Sequence, residues 1–164
     1  MQSRLIRVAA LALVAGALAA SPAVAAPSWA PASSAAIHPG IQTLTAGAQC
    51  TANFVFYDAD NVYLGQAAHC SGTGAATETD GCDSGSLPLG TPVDIGGSTP
   101  GTLVYNSWLT MQSHGEANAD TCAFNDLALV KVAAADVGKV NPSIPFWGGP
   151  TGMTDGVTDL GKVL

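Results

Sequence analysis

The sequence predicts an all-β protein, and three observations carry that prediction. Short runs dense in Val, Ile, Thr, Phe and Tyr recur along the chain, the composition that suits a half-buried pleated surface. Clusters of Gly, Pro, Ser, Asn and Asp punctuate them. Beyond the N-terminal apolar stretch, no segment sustains a helical apolar period through several turns.

Residues 1–25 read as an export signal rather than as structure. Arg4 and Arg7 form a basic start, Val8 to Ala20 is unbroken apolar and small, and Ala23-Val24-Ala25 supplies a small-x-small cleavage pattern. The apolar core is short and lacks a stop-transfer flank, so a secreted, extracellular protein is expected, with no membrane association after cleavage. Residues 26–40 are Ala, Pro and Ser with one Trp and one His, which predicts a flexible linker or short propeptide and makes His38 a solvated side chain.

From Gly40 the pattern becomes β. Ile41 to Thr45 alternates, and Thr51 to Tyr57 is rich in Phe, Val and Tyr. Asp58-Ala59-Asp60-Asn61 predicts a turn, because Asp and Asn bond their own backbone and tolerate left-handed geometry. A calcium loop is the rival reading, but Tyr63 stands where an EF-hand needs glycine. Val62 to Gln66 returns as the second strand, and Ser71 to Gly90 predicts a surface loop.

Pro92 to Ile95 and Thr102 to Met111 read as further strands flanking the turn signal Gly96 to Gly101. Gln112 to Asp120 reads as a polar loop carrying a solvated His114, Phe124 to Val132 as a strand, and Ala133 to Val137 as one helical turn. Asn141 to Gly152 is rich in Pro and Gly and holds an apolar cluster of Ile144, Phe146 and Trp147.

Composition narrows the function. After the signal only Lys131, Lys139 and Lys162 remain as basic residues against 12 acids, a surface that repels phosphate backbones and anionic lipids and argues against nucleic acid. The length after the signal suits one ordinary domain. Four cysteines in an exported chain read as two disulfides, with the connectivity open. A zinc site is disfavoured, since the chain contains no Cys-x-x-Cys and no His-Glu-x-x-His, and no cofactor motif is read.

Two stretches carry chemistry. Leu64-Gly65-Gln66-Ala67-Ala68-His69-Cys70 closes an apolar run that begins at Cys50, and it sets a histidine at the end of a β element beside a cysteine that can pin the turn. Asn125-Asp126-Leu127-Ala128-Leu129-Val130-Lys131-Val132 puts a carboxylate at the mouth of an alternating strand. Ala67-Ala68-His69-Cys70 with its upstream cysteine resembles the histidine box of the chymotrypsin/trypsin-like serine proteases, and Asn125 to Leu129 is similar to their aspartate box.

The resemblance covers roughly Gly40 to Gly149 and implies an antiparallel β-barrel like the first barrel of that fold, over residues 41–149. It implies His69 as general base and then acid, Asp126 as its orienting carboxylate, and a Cys50–Cys70 disulfide, which leaves Cys82 to pair with Cys122. The family's Gly-Asp-Ser-Gly-Gly box and its Ile-Val-Gly-Gly terminus have no match before Leu164. Residues 150–164 would be a cut-short crossing to a second barrel.

Asp83-Ser84-Gly85 partly echoes the serine box. Cys82 stands where the family has Gly, however, and Ser84 precedes Asp126, so a disulfide-tethered loop is the preferred reading. Two functions are therefore expected of the sequence. One is a secreted serine endopeptidase acting on protein or peptide substrates, represented here by its front half and inactive alone. The other is a non-catalytic secreted β-barrel that binds a partner.

Overall fold

The computed structural model describes residues 27–75 and 79–149. The expected signal at 1–25 and the tail at 150–164 lie outside the described residues. Seven strands form one antiparallel sheet: β1 Gln42–Thr45, β2 Ala48–Thr51, β3 Val55–Tyr57, β4 Val62–Gln66, β5 Pro92–Ile95, β6 Thr99–Asn106 and β7 Ala128–Val132. Their order across the sheet is β2-β1-β5-β6-β7-β4-β3. The fold is mostly antiparallel β, as the sequence predicts, with a few helices.

The two outer strands are successive halves of one bent segment. Ala52 N donates to Ile41 O and Ala52 O accepts from Gly40 N, both at 2.8 Å, whereas Asn53 N donates to Gly65 O and Phe54 O accepts from Gly65 N, also at 2.8 Å. Backbone pairing therefore passes from the β1 side to β4 through this bend, and the sheet wraps into a barrel-like shape. Among the described residues β2 and β3, at the two ends of the sheet order, each pair with a strand on one side only.

Alternation along the strands fills the interior. Val62 and Leu64 of β4, Val93 and Ile95 of β5, and Ala128, Val130 and Val132 of β7 are all buried in one apolar cluster. Gly101 faces that cluster from β6, where a Cβ would come within 2.6 Å of Val130 and 2.9 Å of Ile95. The close approach of β6 to its neighbours requires glycine there.

The pairing of β6 with β7 slips between Leu103 and Tyr105, leaving Val104 as an extra residue in a β-bulge. A bulge reverses the alternation beyond it. Leu103 points inward before the bulge, and after it Asn106 is buried opposite Ala128 while Tyr105 is only half-buried.

Helices replace part of the expected strand and loop. Thr102 to Met111 is not one strand: β6 stops at Asn106, whose side chain caps helix α1, Ser107–His114, by accepting from Trp108 N and Leu109 N. Gly115 ends α1 in a left-handed conformation, φ 65°. Helix α2, Ala119–Phe124, is capped by Asn118, so the stretch read as a polar loop from Gln112 to Asp120 is helical at both ends and a loop only from Gly115 to Asn118. The strand expected from Phe124 begins only at Ala128, which leaves Asp126 in the connection before it. Ala134–Lys139 forms the expected helical turn in 3₁₀ geometry, beginning one residue later and ending two residues later than the sequence reading.

The stretch expected as a flexible linker is, over residues 27–40, built into the body. Ile37 is 0% exposed and bridges Val140, Ala30 N donates to Val140 O at 2.8 Å, and Asn141 Nδ2 donates to Ala30 O at 2.6 Å. One well-placed isoleucine and a returning chain outweigh the low apolar content of the segment. His38 is half-buried, with Nδ1 2.8 Å from Pro39 O.

The Asp58 turn forms as predicted. Asp58 Oδ1 accepts from the amides of Asp60 and Asn61 at 2.8 Å each, and Oδ2 accepts from the Tyr63 hydroxyl at 2.6 Å. Both oxygens serve the hairpin itself. The Tyr63 hydroxyl, and then the Asp60 amide, hold the Asp58 carboxyl down to about 2 from its ordinary 3.8. Because folding lowers this pKa, the turn's contribution is full above the ordinary carboxylate range and is lost as pH falls through about 2.

Two outcomes are expected. Tyr63→Phe should raise the Asp58 pKa toward 3.8, read from the carboxyl carbon in an NMR titration. Gly101→Ala should destabilise the fold by about 1–3 kcal/mol through overpacking, read as a lower urea midpoint with an unchanged slope.

Candidate functional site

The β4–β7 register brings the two chemical stretches together. Gln66 pairs with Ala128, so the end of β4 lies beside the start of β7. His69 follows Gln66 by one short turn, and Asp126 sits just before Ala128, which places both at the same end of the barrel.

His69 lies in a 3₁₀ turn, Ala68–Ser71. Ala68 is fully buried and anchors the turn while the His69 side chain remains 51% exposed. Cys70, also buried, is bonded to Cys50 of β2, with Cα atoms 5.9 Å apart. The second disulfide joins Cys82 to Cys122 of α2, the helix that runs into Asn125 and Asp126. Both pairings are those expected. Two disulfides are compatible with an extracellular protein, and among the described residues no helix is long and apolar enough to cross a membrane.

Asp126 holds His69 at two points. Oδ1 accepts from the His69 backbone N–H at 2.9 Å, and Oδ2 lies 2.7 Å from Nδ1 of the ring. An ionised carboxylate only accepts hydrogen bonds, so this geometry assigns the proton of a neutral imidazole to Nδ1 and leaves a lone pair on Nε2. The two-point contact fixes both the rotation of the ring and its tautomer. Beside the ring is a groove of about 340 Å³ whose walls include Gln49, Cys50, Gly72, Gly85 and Trp108.

Two buried polar residues that the sequence reading missed support this pair. Asn106 Nδ2 donates to Ala68 O at 3.3 Å, Ser71 Oγ at 2.8 Å and Ser86 Oγ at 3.1 Å. Ser107 N donates to Leu127 O at 2.8 Å, while its Oγ donates to Asn125 O at 2.8 Å and accepts from Leu127 N at 3.0 Å. The available signal was a helix start: Asn before Ser-Trp-Leu, with Gly115 eight residues past Ser107. The β-prone residues Val104, Tyr105 and Trp108 masked it.

The remaining sequence candidates stand apart. Ser84 is buried, its backbone N donates to Asp80 O at 2.9 Å and its carbonyl accepts from Gln112 Nε2 at 2.8 Å, and no hydrogen bond joins it to His69 or Asp126. His114 is exposed at the end of α1. Cys50, His69 and Cys70 cluster at metal-ligand spacing, as do Asp80, Cys82 and Cys122, but every sulfur in both clusters is in a disulfide. A thiolate is what would ligate a metal, and none is free there.

Because the Cys50–Cys70 bond joins the His69 turn to β2, replacing both residues with Ala should cost about 2–4 kcal/mol, checked by urea unfolding against the parent. No family model, curated protein or solved structure matches the chain, so its chemistry is read from this geometry.

Proposed function

We propose that His69 and Asp126 are the general-base half of a serine-type peptidase site in a secreted protein. The observation that carries the reading is the two-point hold of Asp126 on His69, which directs Nδ1 at the carboxylate and leaves Nε2 as the basic nitrogen. The resemblance of Ala67 to Cys70 and of Asn125 to Leu129 to the chymotrypsin-like boxes supports it. So do the barrel-like wrap and the disulfide next to the histidine.

In this reading Nε2 takes the proton of an attacking serine hydroxyl as its oxygen bonds to the peptide carbonyl carbon. Asp126 stabilises the imidazolium, which then passes that proton to the leaving amine as the C–N bond breaks. Among the described residues no serine is hydrogen-bonded to the ring. The nucleophile and the oxyanion donors are assigned to polypeptide that meets the open side of His69.

A fluorophosphonate probe, which labels serines activated by a neighbouring base, tests this on secreted preparations containing the chain. Labelling that depends on His69 is expected, with His69→Ala lowering turnover about 10⁶-fold. No labelling, with the chain alone or with extract of the secreting cells, counts against the reading.

A second reading, a binding module without catalysis, draws on the exposed aromatics Phe124 at 80%, Phe146 at 94% and Trp147 at 81%. Phe146 and Trp147 pack edge-to-face with ring centroids 5.0 Å apart and form a small exposed apolar pair. A monodisperse, probe-inert protein in analytical ultracentrifugation favours the binding module, whereas self-association of the isolated chain favours the half-site.

A further inference from the structure

We propose that Asn106 and Ser107 together are the positioning device of the His69–Asp126 pair, one residue setting the histidine turn and the next setting the aspartate. This rests on the reading of His69 and Asp126 as base and orienting carboxylate. Neither residue is hydrogen-bonded to the ring or the carboxylate: Ser107 acts through the backbone of residues 125 and 127, and Asn106 through Ala68 O and the Ser71 hydroxyl.

Ser107 brackets Asp126. Its three hydrogen bonds go to Asn125 O, Leu127 N and Leu127 O, the polar groups on either side of the aspartate. Residues 125–127 belong to neither α2 nor β7, so their path is not fixed by a regular ladder. Ser107 is 0% exposed, and those bonds are its burial partners.

Asn106 does the same for the other side. Its Nδ2 reaches Ala68 O, just before His69, and Ser71 Oγ, just after Cys70, while Ser71 Oγ itself donates to Ala68 O at 3.0 Å. Its Oδ1 meanwhile caps α1 through Trp108 N at 2.8 Å and Leu109 N at 3.4 Å.

A capping role alone needs only the acceptor, which Asp, Ser or Thr supplies as well. Holding the histidine turn needs donors too: Asp has none and a Ser or Thr hydroxyl has one proton, whereas the Asn106 amide offers two protons to Ala68 O, Ser71 Oγ and Ser86 Oγ while its oxygen caps the helix. The bulge at Val104 is what turns this side chain inward, so the junction of β6 with α1 delivers two adjacent residues to the two stretches that must meet.

The test separates donor from cap. Asn106→Asp keeps the helix cap and removes the donor, and Ser107→Ala keeps the backbone bond to Leu127 O and removes the hydroxyl. Ser107→Thr keeps the hydroxyl. The readout is the Nδ1–H proton of His69 in the imidazole NMR spectrum, which needs no peptidase activity, with Asp126→Asn as the control that abolishes it.

In chains that keep a dispersed amide spectrum and both disulfides, Asn106→Asp and Ser107→Ala should speed exchange of this proton with water about tenfold or more, or broaden it away, for the loss of the Asn106 Nδ2 bonds or of the two bonds through Ser107 Oγ. Ser107→Thr should restore it. An unchanged signal in the two folded variants overturns the positioning role while leaving the His69–Asp126 reading intact, and failure of both to fold makes the corner a stability element and also overturns it. Absence of the signal from the parent chain removes the pair itself, and the positioning role with it.

Discussion

The site depends on one backbone constraint, the antiparallel pairing of β4 with β7. That register lays the exit of one strand beside the entry of the next, and it alone makes neighbours of two residues separated by 57 positions. Side-chain contacts then refine a juxtaposition the sheet has already made. A one-residue slip would turn Val62, Leu64, Val130 and Val132 out of the core, so the apolar alternation that stabilises the barrel also protects the meeting of His69 with Asp126.

Around this register a hydrogen-bonded polar group holds the His69 end, although Trp108 Nε1 and Gln66 Oε1 are buried there without a partner among the described residues. The end of the barrel that carries His69 is held by Asn106, Ser107, Ser71 and Ser86, all buried or half-buried and hydrogen-bonded. A fully satisfied buried network specifies geometry as well as holding it, because each unmet donor costs desolvation. The disulfides act at the margins of the same region, one at the histidine turn and one at the helix leading to the aspartate. Covalent staples, hydrogen bonds and sheet register thus converge on a short stretch of surface.

Much of the fold was legible because short-range physics fixes it. The Asp58 turn follows from an Asp that bonds its own backbone, and the strands β1, β4 and β5 follow from alternation between turn signals. The Cys50–Cys70 pairing was read from the resemblance and Cys82–Cys122 by elimination, and both form; His69 and Asp126 were singled out by their places at the ends of β runs, and the structure puts them within hydrogen-bond distance. Where local cues conflicted, the reading failed. Val104, Tyr105 and Trp108 have strong β preference, which hid the Asn106 cap and the helix behind it. Residues 27–40 carry too little apolar surface to order themselves, and only the return of Val140 and Asn141 makes burial of Ile37 favourable.

The sequence by itself determined a mostly β chain rich in turns, with two disulfides' worth of cysteine and a histidine and an aspartate near strand ends. These are properties of neighbours along the chain, where propensity and pattern act. The tertiary structure alone decided which strand ends meet, that β6 bulges at Val104, and that Asn106 and Ser107 face the site. Those outcomes depend on register and on the inversion of side-chain parity by a single extra residue, quantities set by pairing partners distant in sequence and invisible to any local window.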